Sequence, residues 1–156
     1  MLGARHLSAG ELVRVANAAG EKVPRDPRER GLVDPKWMIG RLGQHAGECG
    51  LLIIDGYPRA PSHLEGLSAL GRLRGVIRIH IDLDRAIDRM RVRGRDGETL
   101  ARFASRWNRH RNREAAVIEA LDAHGIRIAD VDGTGEMAQV TERVHHAARE
   151  LLGVAG

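Results

Sequence analysis

Apolar residues fall along this chain in two rhythms. Leu51-Leu-Ile-Ile54, closed by Asp55-Gly56, is a short apolar run ending in a turn, the pattern of a buried strand. Val76-Ile-Arg-Ile-His-Ile81 and Ile126-Arg-Ile-Ala129 read as two more strands. Between them the apolar positions recur at helical spacing. Ser8-Ala-Gly-Glu11 reads as a capping box opening a helix through Leu12, Val13, Val15 and Ala16 to about Gly20. Asp34-Pro35 is an N-cap followed by proline at the first helical position, which predicts a helix to about Ala46. Pro61 is expected to start a helix ending near Arg72, and Asp84 to cap one continuing toward Val92. A long helical stretch runs from Glu98 to His124, with a kink or division expected near Asn112. In it Leu100, Phe103 and Trp107 sit at i, i+3 and i+7, which predicts core contacts. A last helix is expected from Gly135 to Leu152.

Strands alternating with helices imply an α/β fold, a parallel sheet with helices on both faces. At 156 residues the chain has the length of one domain with a real core. No apolar run approaches membrane-spanning length, and no secretory signal is legible at the N-terminus, so a cytoplasmic location and no membrane partner are expected. Cys49 is the single cysteine. That excludes a disulfide framework and a cysteine metal cluster, and nothing near it in sequence resembles an activating partner, so Cys49 reads as structural.

Charge changes the picture in one region. Of 25 cationic residues all but Lys22 and Lys36 are arginine, a bias that codon usage alone can produce. Nine arginines nevertheless fall between Arg89 and Arg113. A solvated basic helix accounts for that composition, and so does a site for anions. The segment Asp55-Gly-Tyr-Pro-Arg59 is more specific. Its strand delivers Asp55 to the carboxyl end, where open α/β sheets bind ligands. Gly56 permits close backbone approach, and Arg59 offers a planar fork suited to phosphate.

Four segments in order resemble the adenylate kinases, nucleoside monophosphate kinases that move a phosphoryl group from ATP to AMP. They are His6-Leu-Ser-Ala-Gly-Glu-Leu-Val-Arg14, Asp55-Gly-Tyr-Pro-Arg59, Arg95-Asp-Gly-Glu98 with Arg106 beyond it, and Val131-Asp-Gly-Thr134. The resemblance implies a P-loop-kinase-like domain over 1–156, with a monophosphate-binding part at about 8–50 and a short lid at about 93–98. It implies that Arg14 and Arg59 clamp the phosphate of AMP or another nucleoside monophosphate. Gly10 and Gly56 would frame the pocket, with Leu32 and Val33 beside the base and His63 in the place of a base-reading glutamine. Asp55 would help hold Mg2+, bound with ATP, through water. Arg93 and Arg95 would belong to the lid, Arg106 would bridge donor and acceptor, and Gly133 and Gly135 would lie near the adenine of ATP. Convergent guanidinium groups suit such chemistry, because phosphoryl transfer is mostly positioning and charge neutralisation.

The chain also departs from the pattern. The family opens with a strand, then G-x-x-x-x-G-K-[ST], then a helix, and no such segment occurs in residues 1–156. That loop supplies the backbone N–H groups and lysine that hold donor phosphates. Its strand would lie beside the one ending at Asp55, so the resemblance predicts a sheet lacking its first strand, and with it a start upstream of Met1 or a truncated gene copy. Ala9 replaces a threonine, His63 the glutamine, Gly97-Glu98 a pair of aspartates and His110 a tyrosine. The lid carries no cysteine, which excludes the zinc-bearing lid of some relatives.

Three readings stand on the sequence. One is a nucleoside monophosphate kinase whose activity depends on a phosphate loop; another is a non-catalytic protein that keeps the monophosphate pocket. The third is an arginine-rich nucleic-acid binder using 89–113. With aromatic residues at 3%, base-stacking platforms are scarce, which argues against nucleic acid.

Overall fold

A computed structural model describes residues 4–93 and 99–154, with Arg93 as backbone alone. The chain divides into two compact units, Met1–Leu73 and Arg74–Gly156. The fold is mixed α/β with parallel strands.

The first unit is built on two parallel strands, β1 (Arg5–Ser8) and β2 (Leu52–Asp55), in a register that sets Ser8 beside Asp55. The helix α1 (Ala9–Ala18) follows β1 directly, and α2 (Pro35–Ala46) precedes β2. Local chemistry dictates α2. The Asp34 carboxylate accepts from the Trp37 N–H at 3.0 Å and Pro35 begins the helix, so one free donor of the first turn is satisfied and another is absent. The core of this unit is Ala9, Met38 and Leu42, with Leu7, Val13, Val33, Ile54, Tyr57 and Leu70 packed around them. It joins both helices to both strands.

The second unit pairs β3 (Val76–His80) with β4 (Ile128–Asp132), again parallel, with Arg78 opposite Asp130 and His80 opposite Asp132. Helix α5 (Met137–Leu152) packs on β4 and β3, while α3 (Leu83–Arg93) packs on α4 (Leu100–Ala123). Ala86, Val117, Leu121, Val131, Val140 and Ala147 are its buried apolar residues among those described. Among the described residues no helix is long and apolar enough to cross a membrane.

Several expectations need correction. The expected capping box at Ser8 does not form: Ser8 makes no side-chain cap bond, and Glu11 pairs with Arg14 instead. Strand β1 is legible only through its partner, since its four residues carry no alternating pattern. Residues 61–72 form no continuous helix. Two short 3-10 turns, Pro61–Leu64 and Leu67–Leu70, are separated by extended Glu65 and by Gly66 at φ +78°, a conformation that ends a right-handed helix. Asp82, rather than Asp84, caps α3, accepting from the Arg85 N–H at 2.8 Å. Helix α4 is continuous through Asn112, because nothing between Leu100 and Ala123 is glycine or proline. Leu100 is 48% exposed and is not a core contact, whereas Phe103 and Trp107 are half-buried and stack on each other at 6.1 Å.

Candidate functional site

In the first unit, candidate groups gather at the carboxyl ends of β1 and β2. Asp55 closes β2, with an exposed side chain. Gly56 follows at φ +75°, a left-handed turn that a side chain disfavours. The chain then passes through a cis Tyr57–Pro58 bond to Arg59. The Arg59 guanidinium turns back over this turn, its Nε donating to the Gly56 carbonyl at 3.1 Å. Beside it in register, Ser8 leads into α1, on which Gly10 and Arg14 lie. A Cβ on Gly10 would sit 3.5 Å from Arg14 Nη1, an ordinary contact distance, so the two positions adjoin on the helix. Arg14 is held by Glu11, which takes both its Nε, at 3.0 Å, and Nη2.

A second layer lies behind these groups. His63 is only 2% exposed. Its ring stacks on Tyr57 with centroids 4.6 Å apart and planes 15° from parallel. Its Nδ1 accepts the Arg59 backbone N–H at 3.2 Å. A backbone amide can only donate, so Nδ1 carries the lone pair and the proton of the neutral ring is on Nε2. Asp26, 3% exposed, ties the 25–33 loop to the turn bearing His63. Its carboxylate accepts from the Arg28 N–H at 2.8 Å and from the Ser62 hydroxyl at 2.9 Å. Burial pushes the Asp26 carboxyl up, but those two donors and the Arg28 charge outweigh it and hold the pKa below its ordinary value. The same loop closes on itself through Asp26 N–H to Leu32 carbonyl at 3.0 Å and the Arg25–Val33 bridge. That places Leu32, buried, and Val33, half-buried, on a fastened loop.

In the second unit the turn after β4 is the best-fastened feature. The Gly133 N–H donates to the His80 carbonyl at 2.6 Å, and a Cβ on Gly133 would meet that oxygen at 2.6 Å, so only glycine fits. The Asp132 carboxylate takes the Thr134 N–H and hydroxyl at 2.8 and 2.7 Å. Two arginines bind the turn's carbonyls. Arg89 donates to Gly133 at 2.7 Å and Gly135 at 3.2 Å; Arg143 donates to Asp132 at 2.7 Å and Thr134 at 2.8 Å. Arg106 lies on α4 with its guanidinium 5.4 Å from the Phe103 ring centre. Arg93 is the last residue of α3. Arg95 and the rest of the expected lid lie outside the described residues.

No family model matches the chain. Curated relatives do. It is 29% identical over 161 residues to the adenylate kinase of Hyphomonas neptunium, covering 92% of this chain and 84% of that one. It is 29% identical over 146 residues to the adenylate kinase of Micrococcus luteus, covering 88% and 67%. Over 158 residues it is 28% identical to that of Xanthomonas campestris pv. campestris, covering 91% and 84%. The chain is a relative of the adenylate kinases.

For an adenylate-kinase relative, the structure adds residues that the sequence reading passes over. Arg89 is counted there only within the basic cluster, and Arg143 not at all, although four carbonyls crowded into Asp132–Gly135 require donors from somewhere. Tyr57 and Asp26 also enter only with the fold. Their signal in the sequence is faint, a tyrosine and a lone aspartate in a charged loop.

Proposed function

We propose that this adenylate-kinase-like chain binds AMP or another nucleoside monophosphate as a phosphoryl acceptor, through Arg14 and Arg59 at the carboxyl ends of β1 and β2. The observation that carries this reading is the Asp55–Arg59 turn, where an exposed guanidinium is held over a glycine at the end of a parallel strand. Such a fork can bind two phosphate oxygens and stays charged. Gly10 lies beside Arg14, and Leu32 and Val33 are the proposed apolar surface for a base. Gly133 and Gly135, fastened by Arg89 and Arg143, are the proposed contact for the adenine of ATP. Arg93 and Arg95 are the proposed lid cations, and Arg106 the proposed bridge between phosphates.

Asp55 fits a Mg2+ ion held mainly through water, since a single exposed carboxylate at a strand end is what such an ion takes from a protein. When bound with ATP, the ion neutralises phosphate charge. Residues 1–156 contain no G-x-x-x-x-G-K-[ST] segment. Acceptor binding is therefore the activity proposed for these residues, and phosphoryl transfer is proposed only together with a phosphate loop from another segment. The non-catalytic reading shares the acceptor site and differs only in showing no transfer.

Calorimetric titration with AMP tests the acceptor site. The Arg59→Ala chain should bind AMP at least about tenfold more weakly, the loss of one charge-assisted contact, while its melting temperature stays close to the parent's. Equal affinities in the two chains would refute the assignment.

A further inference from the structure

We infer that His63 is a positioning residue for the phosphate clamp rather than a reader of the base. The inference rests on the acceptor site proposed above and changes the role that resemblance gives this position. A side chain that reads a base must offer its polar edge to the pocket. The His63 ring offers almost no surface, at 2% exposure. One face is stacked on Tyr57, and Nδ1 is engaged by the Arg59 backbone N–H.

That bond acts on the residue that matters. Arg59 is fixed at its backbone by His63 and at its side chain by the Gly56 carbonyl. The two anchors lie on either side of the Arg59 Cα, so the direction in which the guanidinium leaves the turn is set before any ligand arrives. Holding a long cationic side chain in its binding conformation removes part of the ordering cost that a phosphate would otherwise meet. The stack on Tyr57 keeps the imidazole in plane for this bond, and the Asp26–Ser62 contact fixes the turn that carries the ring. The role needs an acceptor at the Nδ1 position and nothing at Nε2.

Three variants separate the two roles. His63→Asn places an amide oxygen near the Nδ1 position, His63→Gln places its amide nearer Nε2, and His63→Phe keeps the ring without an acceptor. Calorimetry on the whole chain is run with AMP, GMP, CMP and ribose 5-phosphate. A positioning role predicts that His63→Phe and His63→Gln each lose about tenfold in affinity. The factor should be the same for all four ligands, since the phosphate contact is what suffers. His63→Asn should recover to within about threefold of the parent. Placed in an Arg59→Ala chain, His63→Phe should add almost nothing, because its target is gone. A loss confined to AMP, recovery by glutamine instead of asparagine, or a full effect in the Arg59→Ala background would each overturn the inference and restore base reading.

A ligand-free readout separates this inference from the acceptor site itself. Scalar coupling between the Arg59 amide nitrogen and His63 Nδ1, measured by NMR on the labelled parent chain, should be present; its absence overturns the positioning role even if AMP binds. A parent chain that shows the coupling but binds none of the four ligands removes the acceptor site, and with it any clamp to position. Should His63→Phe fail to fold, the asparagine and glutamine pair carries the comparison.

Discussion

Tyr57 and His63 lie ring against ring, 4.6 Å between centroids and 15° from parallel, directly after the glycine turn that ends β2. The Tyr57 hydroxyl at the far end of this stack is buried and has no hydrogen-bond partner among the described residues. Burial is the main reason its pKa stands well above the ordinary 10.0, and the negative charges of Asp26, Asp34 and Glu65 add to it.

A raised phenol pKa means the fold favours the protonated form. Its contribution to stability is intact below pH 10 and is lost as pH climbs above that value. The chain has one tyrosine, so phenolate absorbance reports this group alone. We expect no phenolate signal in the folded chain up to about pH 11, and its appearance together with loss of circular dichroism. Ionisation near pH 10 in a chain that stays folded would contradict the burial.

Leu42 is fully buried at the centre of the first unit's core. Leu42→Ala should destabilise that unit by about 2–5 kcal/mol, the transfer loss plus the cavity left behind. Urea denaturation followed by tryptophan fluorescence measures it, since Trp37 packs on the same core. A change under about 1 kcal/mol would mean the site collapses without penalty.

Asp26→Ala removes the acceptor shared by the Arg28 N–H and the Ser62 hydroxyl. The expected cost is about 1–3 kcal/mol, because both donors lose their partner. Amide exchange should speed up in 25–33 and 61–64 before it does in α2. Unchanged exchange in those two segments would show that the carboxylate does not join them.

Asp130 predicts the acid behaviour of the second unit. Arg78 donates to it from Nε at 2.6 Å and Nη2 at 3.0 Å, and His80 Nε2 stands 2.8 Å away. The Arg78 bonds chiefly, then the His80 bond, pull its pKa from 3.8 to about 2. A depressed carboxyl stabilises the fold above its unfolded pKa and loses that contribution as pH falls through the folded one. The parent should therefore exceed Asp130→Asn in stability at about pH 5, with the gap narrowing toward about pH 2. The two carboxylate oxygens are half open to solvent, so the gap should also shrink in high salt. A gap independent of pH would remove the ion pair from the account.

How far the sequence reached follows from how local each signal is. Helix α2 was legible because Asp34 and Pro35 settle its start within one turn, and β2 because four apolar residues run straight into Asp55-Gly56. The resemblance to adenylate kinases was carried by short motifs that need no fold to be read. Strand β1 was hidden, because Arg5–Ser8 becomes a strand only by pairing with residues 52–55, far along the chain. The break at Gly66 was hidden too, since glycine tolerates a helix and only its left-handed backbone here ends one.

Side-chain roles were decided still later. Charge and motif marked Arg14, Arg59 and Arg106 as candidates, but which atoms hold them depends on neighbours. The sequence showed His63 as an exception to a pattern. Only the tertiary structure turned its ring inward onto Tyr57 and put Nδ1 against the Arg59 amide, because the turn that carries it is fastened from far along the chain, by the Ser62 hydroxyl donating to Asp26. Local propensity and composition determined elements such as α2 and β2 and the arginine-rich chemistry of this chain; packing between distant segments decided β1, and which residues face a ligand and which hold them there.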